Sequence, residues 1–144
     1  WYSTDGANWT RATNSMFSKG RGGIALTTFN SKMWVIGGFG GGCSMSVCSD
    51  VWYSSDGSSW TQSTSNLGAA SYGHSAASTS SKIFVFGGSH GSSNLFWYSS
   101  DGITWSSLTF PSGTTGTSQF SDSNNVIHDG AIWLAGKNKV WKLK

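Results

Sequence analysis

Apolar positions along this chain come in short runs separated by polar turns. Lys32-Met33-Trp34-Val35-Ile36-Gly37-Gly38, Lys82-Ile83-Phe84-Val85-Phe86-Gly87-Gly88 and Ala131-Ile132-Trp133-Leu134-Ala135-Gly136-Lys137 are almost wholly apolar and end at Gly. That pattern predicts strands buried on both faces. A softer small-residue run precedes each one, Ile24 to Phe29, His74 to Thr79 and Ser123 to His128. Two-residue polar turns (Asn30-Ser31, Ser80-Ser81, Asp129-Gly130) join the two runs into a tight hairpin.

A second pattern repeats in step with the first: Trp1-Tyr2-Ser3-Thr4-Asp5-Gly6-Ala7-Asn8-Trp9, Trp52-Tyr53-Ser54-Ser55-Asp56-Gly57-Ser58-Ser59-Trp60 and Trp97-Tyr98-Ser99-Ser100-Asp101-Gly102-Ile103-Thr104-Trp105, with Val140-Trp141 as a truncated echo. It predicts another hairpin. An aromatic strand (Val51 to Ser54, Leu95 to Ser99) turns through Ser-x-Asp-Gly and returns through a strand headed by Trp60 or Trp105. Asp hydrogen-bonds the turn backbone and Gly takes the positive φ, so Asp5, Gly6, Asp56, Gly57, Asp101 and Gly102 are assigned as turn formers.

Each repeat is therefore four antiparallel strands, a to d, in about 45 to 50 residues, the size and content of a propeller blade. The expected organisation is all-β, one segment over residues 1–144. Strands c-d of a first blade occupy 1–10, complete blades occupy 22–62 and 71–107, and strands a-b-c of a last blade occupy 118–144. Composition agrees with the class: 20 Gly, nine Trp, one Pro and 10% charged residues describe many short strands and turns.

The apolar strand with Gly-Gly, a variable loop, Asp50-Val51-Trp52-Tyr53 and Trp60 seven residues beyond Tyr53 resemble the kelch repeat of galactose-oxidase-like propellers. Ser71-Tyr72-Gly73-His74 resembles that family's strand-a opening, and Arg21-Gly22-Gly23-Ile24 matches it in part, with Ile24 where the His falls. The resemblance spans essentially the whole chain. Ser-x-Asp-Gly-x-x-Trp is also one residue short of the Asp-box of sialidase-like propellers, another hairpin-turn motif remote from chemistry. Sialidase chemistry needs three arginines and the chain has Arg11 and Arg21 alone. A galactose-oxidase copper site needs two Tyr and two His, whereas Tyr2, Tyr53 and Tyr98 occupy equivalent structural positions and leave only Tyr72. The resemblance thus implies a fold and no catalytic site within this chain.

Three repeats' worth of strands fall short of the four to eight blades of a closed ring. Two expectations follow. The chain is the C-terminal part of a larger propeller, or its open edges pair between copies as a homo-oligomer or filament. The start at Trp1, inside the phrase, suggests that a leader or upstream segment is absent. The net charge of +3, with dispersed bases, argues against nucleic acid, and no apolar run is long enough to span a membrane. Lys137, Lys139, Lys142 and Lys144 suit an end strand kept soluble by charge.

Cys43 and Cys48 lie in a Gly/Ser-rich stretch and are expected to form a local disulfide pinning a loop, the rival being two free thiols in a reducing compartment; a zinc site lacks two further ligands nearby. The sequon at Asn8 is a site for N-glycosylation in a eukaryotic secretory context. Strand alternation puts the a-b and c-d turns on one face and the long loops on the other. Candidate binding-face residues there are Arg11, Lys19, Arg21, Phe39, Met45, His90 and Asn94. Arg11, Lys19 and Arg21 offer an attraction for an acidic glycan. His74, His90 and His128 show no metal-ligand spacing, and no Gly-x-Ser-x-Gly phrase occurs.

The expected function is a non-catalytic, secreted interaction or self-assembly scaffold without cofactor or metal. Its partners are itself, missing blades, another protein or a glycan. The alternative is part of a secreted carbohydrate-active or oxidase-like enzyme whose catalytic residues lie elsewhere.

Overall fold

The computed structural model describes residues 1–14, 16–43, 46–89, 95–109, 124–136 and 139–143. Met45, His90, Asn94, Lys137 and Lys144 lie outside them, as does the stretch 118–123 assigned to the last blade. The described residues are all-β, and their strands form antiparallel sheets. The first sheet joins β1 (Arg21–Gly22), β2 (Ala25–Phe29), β3 (Lys32–Gly40), β4 (Val47–Ser54) and β5 (Thr61–Gln62). Its strands run as a meander, β1 and β2 both pairing with β3. The second sheet is a four-stranded meander of β6 (Tyr72–Ser78), β7 (Ile83–Ser89), β8 (Leu95–Ser99) and β9 (Ser106–Thr109). The third contains β10 (Asn124–His128), β11 (Ala131–Gly136) and β12 (Lys139–Leu143). Near the N-terminus Tyr2 and Thr10 form one antiparallel bridge, with both N···O distances 2.9 Å.

The Gly-Gly pair expected to end each apolar strand instead bends it. Gly37 and Gly38 adopt φ of 56° and 110°, the register slips between Ile36 and Gly38, and β3 continues to Gly40. The bend brings Gly38 N to Ser71 O at 2.9 Å, and a Cβ at Gly37 would lie 2.8 Å from both Ser71 O and the His74 ring. Only glycine combines this φ with so close an approach. As a consequence Phe39 and Cys48 lie within strands β3 and β4 rather than in a free loop.

The sheets stack through their first strands, with β2 against β6 and β6 against β10. Alternate residues of each strand face opposite neighbours. Trp34, Ile36 and Val51 of the first sheet meet Ala76, Ile83 and Val85 of the second, together with Leu67 from the connection between them. On its other side the second sheet presents Ala77, Phe86 and Phe96 to Ile132 and Leu134 of the third. Ile36, Ile83, Phe86 and Leu134 are fully buried, each worth about 1.5 to 3 kcal/mol relative to exposure. Backbone groups stitch the same joints: Gly73 N donates to Gly23 O at 2.9 Å and Leu67 N to Ser49 O at 2.8 Å. Asn125 Nδ2 donates to Ala76 O at 2.9 Å, and the Ser78 hydroxyl donates to Thr28 O.

Candidate interaction surfaces

The three Asp-Gly turns share one hydrogen-bond network. Asp5 Oδ1 accepts from the Ala7 and Asn8 amides at 2.9 and 2.8 Å, while Ser3 Oγ accepts from the Gly6 amide at 2.8 Å. Asp56 Oδ1 takes the Ser58 and Ser59 amides at 2.8 Å, and Asp101 Oδ1 takes those of Ile103 and Thr104 at 2.7 Å. Gly6, Gly57 and Gly102 adopt φ of 74°, 75° and 77°. Amide donation holds all three carboxyls below the usual carboxylate range, led by Asn8, Ser59 and Ile103 respectively. These acids are consumed by their own turns. Asn8 is exposed, and its side-chain amide donates to Asp5 Oδ2 at 2.8 Å.

At the opposite end of the first sheet, residues 17–24, 37–43, 46–50 and 67–73 gather around the Cys43–Cys48 disulfide. Arg21 does not project from this end as a binding cation. Its guanidinium is 4% exposed and meets Asp50 in two bonds, Nη1 to Oδ1 at 2.6 Å and Nη2 to Oδ2 at 3.1 Å. It also donates to Gly37 O at 3.3 Å and lies 3.9 Å from the Phe17 ring centre. A buried guanidinium needs this enclosure, since an unpaired charge there costs several kcal/mol. Asp50 further accepts the Trp52 indole N–H at 2.7 Å. The partnership of Arg21 with Asp50 spans 29 residues of sequence and left no local signal. Lys19 and Phe39 are exposed here, with Phe39 tilted on Tyr72 at 5.5 Å. Arg11 is exposed too and donates to Thr13 O and Asn14 O within its own segment.

Cys43, Cys48 and Asp50 are the one grouping of metal-type donors among the described residues. Both sulfurs are bonded to each other and the carboxylate is taken by Arg21, so the group offers no thiolate and no free carboxylate.

A polar groove of about 350 Å³ runs between the first strands, lined by Ile24, Leu26, His74, Ser75 and Asn125 among others. His74 is turned away from chemistry. Its Nε2 lies 3.0 Å from Ile36 O, and Nδ1 is buried without a hydrogen-bond partner among the described residues. Burial pushes its pKa down to about 4, the carbonyl contact opposing weakly, so the ring is neutral at ordinary pH.

The outer faces of the sheet stack are of a different character. Beyond the third sheet, Val126, Trp133, Ala135 and Val140 line a shallow depression of about 480 Å³. Behind the first sheet, Met33, Gly57 and Trp60 face Trp1, Tyr2 and Met16 across a depression of about 260 Å³.

No protein-family model matches this chain, and no curated protein matches it. The functional reading therefore rests on these surfaces.

Proposed function

We propose that the chain is a non-catalytic interaction and self-assembly scaffold of kelch-like propeller blades working outside the cell, its open sheet faces completed by another copy or by further blades. The observation that carries this reading is a division of labour among side chains. Arg21, Asp50, His74 and the three turn aspartates are engaged in holding the fold, while Leu26 on the rear of the first sheet and Val126 and Val140 on the outer face of the third lie bare. Exposed apolar side chains grouped around a depression, as Val126 and Val140 are, mark a place where another protein surface belongs.

Three features support it. The meanders lie with their first strands side by side, as blades around an axis would. The Asp-Gly turns and the disulfide-braced loops fall at opposite strand ends, leaving the loop end with Lys19 and Phe39 for a glycan or protein partner. A disulfide fits an oxidising compartment.

Sedimentation equilibrium of the purified chain over a hundredfold concentration range tests the reading, alongside images of the particle. The expected result is a mass above 15.3 kDa with a defined stoichiometry, or a fibre. A well-folded monomer at every concentration would overturn self-assembly.

A further inference from the structure

The two outer faces match each other in detail. At the joint between the first and second sheets, the Trp34 indole is pressed against Gly102, so closely that a Cβ there would overlap the ring. Ile83 and Trp105 belong to the same cluster. Strand register makes Trp133 the counterpart of Trp34: Trp34 lies opposite Thr27 and Tyr53, and Trp133 lies opposite Val126 and Lys142. The same register makes Met33, Gly57 and Trp60 the counterparts of Ile83, Gly102 and Trp105. The outer face of the third sheet thus carries the knob of the inner joint, and the rear of the first sheet carries its socket, a depression of about 260 Å³ whose far side is formed by Trp1, Tyr2 and Met16 of the same chain.

Exposure at equivalent positions agrees. Val51 and Phe96, at 0% and 8%, are covered by the next sheet, whereas their counterpart Val140 is 66% exposed. Ala77 is 3% exposed and its counterpart Val126 is 59%. On the socket side Ala76 is 8% exposed and its counterpart Leu26 is 62%, while Val35, the partner of Leu26 across the ladder, is already covered at 1%, so the open part of this face lies along β2.

Resting on the self-assembly reading above, we infer that the occupant of each face is a second copy of this chain, joined head to tail, with Trp133 of one copy seated against Met33, Gly57 and Trp60 of the next and Val126 and Val140 covering Leu26. Such a contact is heterologous. It closes into a ring or extends as a fibre according to the rotation per step.

Sedimentation velocity of the full chain beside Val140→Lys and Leu26→Lys tests the joint. Both side chains are exposed, so circular dichroism and melting temperature stay near wild type while association weakens about tenfold or more, because each lysine must be desolvated in the joint. The deciding measurement is the mixture. The Val140→Lys copy keeps its socket and the Leu26→Lys copy keeps its knob, so together they form a dimer that neither forms alone. Trp133→Ala in place of Val140→Lys gives the same result. If wild type assembles but these variants assemble equally well, or the mixture is not rescued, this joint is wrong while the scaffold reading stands. If wild type is a monomer throughout, self-assembly is wrong in general and this joint with it, which leaves the faces to further blades.

Discussion

Substituting alanine at Gly57 and at Gly102 separates backbone strain from packing at two turns of near-identical geometry. Both glycines follow the turn aspartate, both sit at φ close to 75°, and in both turns the backbone amides donate to the same serine hydroxyl and aspartate carboxylate. Alanine in this left-handed region costs about 1 kcal/mol at either position. The space differs. A Cβ at Gly57 would meet the flexible end of Met33, Cε at 3.2 Å, which rotates aside at little cost. At Gly102 it would overlap Trp34 Cη2, Cζ3 and Cζ2, the last at 2.6 Å. That indole is 2% exposed and its N–H donates to Phe29 O at 3.0 Å, so it has nowhere to move. Overpacking a closed site adds about 1 to 3 kcal/mol. Gly102→Ala is therefore expected to lose about 2 to 4 kcal/mol and Gly57→Ala about 1 kcal/mol. Urea unfolding followed by tryptophan fluorescence reads the difference, with an unchanged slope showing that stability alone has moved. A gap of about 2 kcal/mol corresponds to roughly 4 to 8 °C in Tm for a chain of this size. Equal losses at the two glycines would refute the close Trp34–Gly102 joint, and with it the template for the contact between copies.

Three further outcomes are expected. The folded-state pKa of His74 lies below the ordinary 6.5, at about 4, so the folded chain binds fewer protons than the unfolded one in between. Stability is then full above pH 6.5 and falls by about 3 kcal/mol as the pH drops from 6.5 to 4, and His74→Gln flattens that limb in a pH series of denaturation curves. Arg21→Ala leaves the partly buried Asp50 without its counter-charge and is expected to cost about 3 kcal/mol; Arg21→Met with Asp50→Leu recovers much of it, and an unchanged stability in Arg21→Ala would show the pair to be ornamental. The Cys43→Ser, Cys48→Ser double variant loses about 2 kcal/mol, the chain-entropy value for a five-residue separation, and alkylation without reduction leaves both cysteines of the wild type unlabelled.

The all-β class, the tight hairpins and the chemistry of the three turns were legible in the sequence because each is decided locally. Alternation of apolar and polar residues sets strand faces, and Ser-x-Asp-Gly carries its own donors and acceptors within four residues. The close spacing of Cys43 and Cys48 points to a disulfide, and the structure joins their sulfurs. Arg21 reads as a solvent-facing cation because a charge looks the same in sequence whether it faces solvent or a partly buried carboxylate 29 residues away. The Gly37-Gly38 bend reads in sequence as a strand end, since a positive φ inside a ladder depends on what passes close by, here Ser71 and His74 from the next sheet. Gly102 was recognised as a turn former, while its second role, receiving the Trp34 indole, belongs to the juxtaposition of two sheets. Which apolar side chains are covered and which stay bare is likewise a property of stacking. Val51, Phe96 and Val140 occupy the same position in the repeat, and only the presence or absence of a following sheet makes two of them core and the third a surface.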